Sequence, residues 1–290
     1  MNIALQIHPN KNKVDCILPN LIKFLTDNQC KVFVLDNDKE FFSSFDVILL
    51  DDVEEFMTNS IELLMSVGGD GTYIGAAKKI VGYNVPILGL HMGGLGFLAE
   101  VLIENFENKL KDFFRGKYRI EQRKILEAEI AYLDKKKKYN CINDLLINRH
   151  ENMSMAKFVT YVDGDYLNTY RGDGVIISTP AGSTAYNMSA GGPIISPQLD
   201  VITLTPVCPH SLSARPVIIG GNQAVTFYLA DSKNRIALDI DGQERIYLDN
   251  ALEVNIRNSN ASLNIVRFQD YSFFHTLQTK FNWGVDPRNK

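Results

Sequence analysis

Two stretches of this chain hold residues whose types and spacing could do chemistry. The first is Ser66-Val67-Gly68-Gly69-Asp70-Gly71-Thr72. It follows an apolar run at 61–65, short enough for a buried strand. It precedes residues 73–80, where Ile74, Ala77 and Ile80 share one helical face. Three glycines and an aspartate therefore occupy a strand-to-helix turn. Glycine permits positive φ and lets a ligand approach the main chain. The N–H groups that open a helix favour an anion, so Gly68, Gly69, Gly71 and Thr72 are the expected phosphate cradle. An acid among such amides is electrostatically awkward unless it takes a proton from an attacking hydroxyl or holds a metal ion. The plain alternative is a tight turn in which Asp70 caps the helix. The turn has neither the Lys-Ser/Thr ending of a Walker A loop nor the spacing of a dinucleotide fingerprint.

The second stretch is residues 171–193, which open with Arg171-Gly172-Asp173-Gly174 ahead of a four-residue apolar strand. Thr179-Pro180-Ala181-Gly182 reads as a turn. Ser183 and Thr184 are placed to cap a short helix, with Thr184, Tyr186 and Ser189 as its exposed hydroxyls. Ala181, Gly182 and Ala185 leave room for a planar group. This composition suits a base and a ribose better than a hydrophobic core. A serine nucleophile is disfavoured, because there is no GxSxG elbow and no histidine with an evident role.

The elements that must position these residues follow from periodicity. Strands are expected at 2–8, 30–35, 45–50, 61–65 and 86–90, with helices at 14–28, 73–80 and 100–114. Alternating strands and helices imply a parallel sheet, whose ligands sit beyond the carboxyl ends of the strands. The strand at 86–90 runs into His91-Met92-Gly93-Gly94-Leu95-Gly96-Phe97-Leu98, a second glycine-rich turn expected beside the first. Phe97 is either core or a wall against which a base stacks. After Tyr118 the pattern becomes many short strands, with Asp163-Gly164 and Asp241-Gly242 as hairpin turns. Residues 251–256 and 262–268 read as separate strands, and Lys135–Lys138 as a solvated hairpin tip. That is an antiparallel, mostly β second domain. Residues 273–283 regain helical spacing and are expected to pack back on the first domain.

Composition sets the outer bounds. The 290 residues are 45% hydrophobic and 22% charged, with a net charge of -4, as in an ordinary globular protein. No basic field points to nucleic acid, and no run of roughly 20 apolar residues spans a bilayer. The chain enters a strand-like run at Asn2, so no signal peptide is expected and the cytoplasm is the expected compartment. Cys16, Cys30, Cys141 and Cys208 make no CxxC pair, and His8, His91, His150, His210 and His275 form no metal signature. Free thiols are expected, and no metal ligand can be assigned.

These motifs occur in one order. GGDGT lies at 68–72, and Gly93-Gly94-Leu95-Gly96-Phe97-Leu98 follows. Next come Asn143-Asp144, then Gly172-Asp173-Gly174 with its STP-x-GSTAY run. Leu204-Thr205-Pro206-Val207-Cys208-Pro209-His210 and a closing Asn282-Trp283-Gly284-Val285-Asp286-Pro287-Arg288 complete the series. The whole chain resembles bacterial NAD kinases. GGDGT alone is shared with phosphofructokinases and lipid kinases; the GSTAY and LTP-x-CPH runs make the match specific. The resemblance implies an α/β plus mostly-β fold. A phosphofructokinase-like parallel-sheet domain would span 1–117, with 270–290 packing back on it, and an antiparallel β-rich NAD-binding domain would span 118–269.

It further implies transfer of the terminal phosphoryl of ATP to the 2′-hydroxyl of the NAD adenosine ribose, with polyphosphate as the other conceivable donor. A divalent cation such as Mg2+ and a homotetramer or homodimer are implied too. Asp70 falls on the position of the family's proton acceptor. The expected NAD contacts are Asp70, Gly71, Ile74, Phe97, Asn143, Asp144, Arg171, Asp173, Ala181, Thr184, Ala185, Tyr186, Asn187, Ser189 and Gln243. Asp144 stands where the family usually has glutamate, and Ala181 where it often has a hydroxyl residue. The rival readings are a lipid kinase of the same superfamily and a non-catalytic NAD(P) sensor.

One expectation follows from the small residues of the second stretch. Ala185→Leu should abolish NAD binding without loss of fold, measured by calorimetry beside a thermal melt. Normal binding by that variant would remove Ala185 from the site.

Overall fold

The computed structural model describes residues 1–8, 10, 12, 14–35, 39–94, 96–150, 155–229 and 235–284. Leu95 of the second glycine-rich turn and the closing Val285-Asp286-Pro287-Arg288 lie outside them. The chain forms two compact units, Met1–Gln122 with Leu263–Lys290, and Arg123–Ser262.

The first unit is built on strands β1 (Asn2–Ile7), β2 (Lys31–Leu35), β3 (Ile48–Leu50), β4 (Leu63–Gly68), β5 (Ile87–His91) and β6 (Val101–Leu102). Between them run helices α1 (Leu18–Asp27), α2 (Lys39–Phe42), α3 (Glu55–Thr58) and α4 (Asp70–Lys79), and α5 (Phe106–Phe114) follows β6. The sheet order is β5-β4-β1-β2-β3, parallel throughout. β4 is buried along its whole length, as expected of a parallel strand covered on both faces. The chain winds outward from β1 through β2 to β3, then returns to β4 on the other side of β1. The strand order therefore reverses between β1 and β4. That reversal opens a crevice at the carboxyl ends of these two strands, where Gly68 ends β4 and Asp70 begins α4.

The second unit contains β8 (Lys136–Cys141), β9 (Asp144–His150), β10 (Ala156–Val162), β11 (Asp165–Gly172) and β12 (Gly174–Ser178), with most of β7 (Tyr118–Ala131). After the short helix α6 (Tyr186–Ser189) come β13 (Val201–Val207), β14 (Val217–Gly220), β15 (Val225–Tyr228), β16 (Arg235–Ile240), β17 (Glu244–Tyr247) and β18 (Glu253–Phe268). One antiparallel sheet runs β14-β13-β12-β9-β16-β17. Facing it are β11, β10 and β15 with the first half of β18. Leu145, Ile147, Val175, Ile177 and Leu238 from the first sheet meet Phe158, Phe227, Val254 and Ile256 from the second in one core. Both dipeptide turns are hairpins with two left-handed residues: Asp163 and Gly164 at φ 49° and 86°, Asp241 and Gly242 at 53° and 64°. This is the geometry that favours Asp-Gly.

Several boundaries differ from the sequence pattern. β7 and β18 each run through a unit boundary, at Gln122/Arg123 and Ser262/Leu263, where the pattern put 117/118 and 269/270. No linker composition marks either place because the strands are continuous there. The two strands expected at 251–256 and 262–268 are the single β18. Helix α1 begins only at Leu18, with Pro19 in its first turn, because proline's fixed φ and missing N–H suit a helix start and not its interior. The helix expected from Glu100 begins at Phe106; Glu100 turns its side chain inward to the Phe268 amide instead. α7 (Phe273–Phe281) closes the described chain within the first unit. The lysine run lies on β8, where Lys136 and Lys138 pair with Glu129 and Glu127 of β7 at 2.7 and 3.0 Å.

Gly89 of β5 is a packing requirement. A Cβ there would stand 2.6 Å from the Ala99 Cα and 2.8 Å from the Tyr73 ring. At Gly71 it would meet nothing within 4 Å. Gly89→Ala should therefore cost about 1–3 kcal/mol as overpacking. Gly71→Ala should leave the melting temperature unchanged or raise it, since alanine suits a helix. Thermal melts of the two variants check this; equal losses would contradict it.

Candidate active site

The acid turn is held by its neighbour. The N-cap of α4 is Gly69, in extended backbone at φ -100°, ψ -175°, with no side-chain cap. Asp70 does not cap its own helix, so that alternative is overturned. Its carboxylate reaches across to the second glycine-rich turn. Oδ2 accepts the Phe97 N–H at 3.1 Å, and Oδ1 accepts those of Leu98 and Ala99 at 3.3 and 3.2 Å. A carboxylate offers about four lone-pair sites; three amides leave about one, on Oδ2. The two turns expected to be neighbours are thus joined by this carboxylate.

The glycines divide into two kinds. At Gly96 a Cβ would stand 2.5 Å from Asp70 Oδ1 and 2.7 Å from the His91 ring. At Gly68 it would stand 2.8 Å from the Thr72 Cβ. The protein itself requires those two. A Cβ added at Gly69 or Gly71 would meet nothing within 4 Å. None of Gly68, Gly69 and Gly71 has positive φ, so the left-handed backbone expected of the first turn is absent; it occurs at Gly93, φ 110°. Burial lowers the His91 imidazole from its ordinary value, Lys280 adds to the effect, and the Asp70 carboxylate opposes it. Phe97 lies 6.0 Å from Phe281, with the Lys280 ammonium 5.5 Å above its ring. Ile74 is buried on α4.

The second constellation is a scaffold of satisfied polar groups. The Thr179 hydroxyl donates to the Ile142 carbonyl at 2.9 Å and accepts the Gly182 N–H at 3.0 Å. Ser183 is fully buried; its hydroxyl donates to the Pro180 carbonyl at 2.7 Å and accepts the Ile195 N–H at 2.9 Å. It is an internal latch, and the helix cap expected of it is absent: residues 181–184 form a 3-10 turn and α6 has no side-chain cap. Asn187 is also turned inward. Its amide donates to the Ser183 and Pro193 carbonyls, and its oxygen accepts the Thr205 hydroxyl at 2.6 Å. Among the expected contacts Asn187 is therefore a floor of the loop. Tyr186 and Ser189 are exposed, while Thr184, Ala185 and Ala181 are half-buried.

Asp241 pins the strand entering this loop. Its carboxylate accepts the Ile142 and Asn143 N–H groups at 3.1 and 2.7 Å and the Cys141 thiol at 3.2 Å. The next residue, Asp144, is buried, and its carboxyl is pushed up to about 7. Burial is the main cause, the Asp241 charge adds to it, and the Tyr186 backbone N–H opposes it. The Asn143 side-chain oxygen is buried without a hydrogen-bond partner. Asp173 pairs with Arg149 at 2.8 Å. Arg171 is exposed and lines a pocket with His210, and Gln243 is exposed on the turn after β16. Sequence reasoning missed the roles of Asp241, Arg149 and Thr179, because their partners Cys141, Asp173 and Ile142 lie 100, 24 and 37 residues away.

The Asp144 carboxyl makes stability depend on pH. Its ordinary value is 3.8. Between there and about 7 the folded chain keeps a proton that the unfolded chain has released. Stability should therefore fall as pH rises through this window, by up to about 1.4 kcal/mol per unit. Asp144→Asn removes the effect. Denaturant titrations at pH 5 and 7.5 should show the variant gaining about 2 kcal/mol on the parent between them. Parallel curves would contradict the assignment.

Comparison with known proteins agrees with this geometry. Residues 3–118 match the family model for the ATP-NAD kinase N-terminal domain, and residues 142–268 that for the C-terminal domain. The chain is 36% identical to an NAD kinase of Clostridium beijerinckii over 280 residues, covering 96% of this chain and 95% of that protein. It is 38% identical to one of Sulfurimonas denitrificans over 226 residues, 78% and 79% of the two. In fold it is similar to yeast NADH kinase complexed with NADH, at TM-score 0.89 and 24% identity over 100% of this chain and 90% of that one. An Archaeoglobus fulgidus NAD kinase in complex with ATP superposes at TM-score 0.76 and 23% identity, over 97% and 99%. With both of its halves matched and relatives this similar over nearly its whole length, the chain belongs to the NAD kinase family.

Proposed function

We propose that this NAD kinase uses Asp70 as the proton acceptor when the ribose 2′-hydroxyl of NAD attacks the terminal phosphorus of ATP. The observation that carries this is the held carboxylate: three amides fix its plane and leave one lone pair of Oδ2 open. As the new O–P bond forms, the hydroxyl proton passes to that oxygen and the bond to ADP breaks, giving NADP. Phosphoryl transfer asks the protein mainly for positioning and charge stabilisation. Gly69 and Gly71, unconstrained by the protein's own packing, allow phosphate oxygens to approach the amides at the start of α4.

The polar loop of the second unit supplies recognition of the dinucleotide. The unpaired, buried oxygen of Asn143 is costly unless a ligand donates to it, which a ribose hydroxyl can do. Asp144 with its raised carboxyl can donate as well as accept. Phe97 is engaged by Phe281, which favours a packing role over that of a wall against which a base stacks.

Among the described residues no three His, Cys, Asp or Glu side chains gather as a metal cage. The divalent cation is proposed as a companion of the triphosphate, as Mg2+ commonly is. No helix of the described residues is long and apolar enough to cross a membrane. The cytoplasm remains the proposed compartment; a homotetramer or homodimer and polyphosphate as a second donor rest on the family resemblance alone. Neither the lipid-kinase nor the sensor reading has an observation in its favour.

The test is direct. The protein with NAD, ATP and magnesium should yield NADP in a coupled assay. Asp70→Asn should bind NAD within about tenfold of the parent, an allowance for one altered hydrogen bond. Its turnover should fall at least about a hundredfold. A variant that keeps most of its turnover would reduce Asp70 to a tie between two turns.

A further inference from the structure

The amides that hold Asp70 are themselves held from behind. Phe97, Leu98 and Ala99 donate to Asp70 on one side. The next residue, Glu100, turns the other way into the protein, where its side chain is 8% exposed. There Glu100 Oε2 accepts from Arg267 Nη1 at 2.7 Å, and Oε1 accepts the Phe268 N–H at 3.0 Å. The same Arg267 nitrogen donates to the Leu98 carbonyl at 3.4 Å. Arg267 is 2% exposed, lies over the Tyr271 ring at 4.2 Å, and has Glu121 4.0 Å from its Nε. Burial pushes the Glu100 carboxyl up, with Arg267 opposing.

An ion pair this deep is an expensive way to join two segments, since an apolar pair of similar volume often serves stability as well or better. What an apolar pair lacks is direction. Arg267 grips the Leu98 carbonyl while the Ala99 N–H of the same peptide unit points at Asp70, so that peptide plane is fixed at both ends. We propose that Glu100 and Arg267 are positioning residues for the Asp70 carboxylate, acting through the 97–99 amides. This rests on Asp70 being the proton acceptor. In such a site a displacement of about 1 Å can cost a hundredfold in rate.

The test neutralises the Glu100–Arg267 pair, and Glu121 keeps Arg119 at 3.5 Å. Glu100→Gln with Arg267→Met removes both charges and leaves an acceptor for the Phe268 amide. The expected result is a melting temperature within a few degrees of the parent, KM for NAD within about threefold, and kcat lower by about tenfold or more. In the Asp70→Asn background the same double replacement should lower kcat by no more than about twofold further, because residues acting as one unit are not additive. A folded double variant with parental kcat overturns the proposal, and so does a joint loss of kcat, KM and melting temperature. If the double variant does not fold, Arg267→Lys decides. It keeps a cation beside Glu100 but loses the reach to the Leu98 carbonyl, and should lower kcat about threefold or more at constant KM. A folded Lys variant with unchanged kcat overturns the proposal. Failure of the underlying reading is seen separately: Asp70→Asn alone would then keep its turnover.

Discussion

The first unit depends on one interaction, the acceptance of three backbone N–H groups by the Asp70 carboxylate. Two glycine-rich turns end adjacent parallel strands. A short acid joins them because it accepts from several amides at once. The contact demands that Gly96 carry no Cβ, since one would collide with both Asp70 and His91. It also brings in the 97–99 segment, whose Ala99 fits only because residue 89 is glycine. Three of the glycines around the turn, Gly68, Gly89 and Gly96, are therefore explained by the protein's own packing, whereas Gly69 and Gly71 have room for a Cβ.

The second unit solves a different problem with the same means. Its loop at 179–189 has few apolar side chains to bury, so buried polar groups hold it. Thr179, Ser183 and Asn187 each serve two or more main-chain or hydroxyl partners. Satisfied in this way, they make a rigid floor. Asp241 does the same for residues 141–143 and, by its charge, keeps the adjacent Asp144 carboxyl raised. The exposed hydroxyls of Tyr186 and Ser189 stand on that floor, which keeps the order of a functional surface from resting on exposed contacts.

Much of the fold was legible from local pattern. The period-two and period-3.6 runs located β1, β4, β5 and α4. The Asp-Gly pairs located two hairpins, because positive φ at both positions leaves few residue choices. The GGDGT and GSTAY runs carried the family resemblance, which the matches to both NAD kinase domains bear out. The pattern failed where distant residues decide the outcome. Glu100 reads as the start of a helix, yet the Phe268 amide and Arg267, both more than 160 residues away, draw it inward.

Sequence by itself determined which residues are available for chemistry and that a parallel sheet precedes an antiparallel one, because residue type and spacing act locally. Tertiary structure alone decided what each polar residue does. Asp70 has the right type for a helix cap, Ser183 for another, and Asn187 for a ligand contact. Only the arrival of the 97–99 amides, the Ile195 amide and the Thr205 hydroxyl turned them into a tie, a latch and a floor. A hydrogen-bonding side chain follows whichever donors the fold brings within about 3 Å, and that neighbourhood is set by topology.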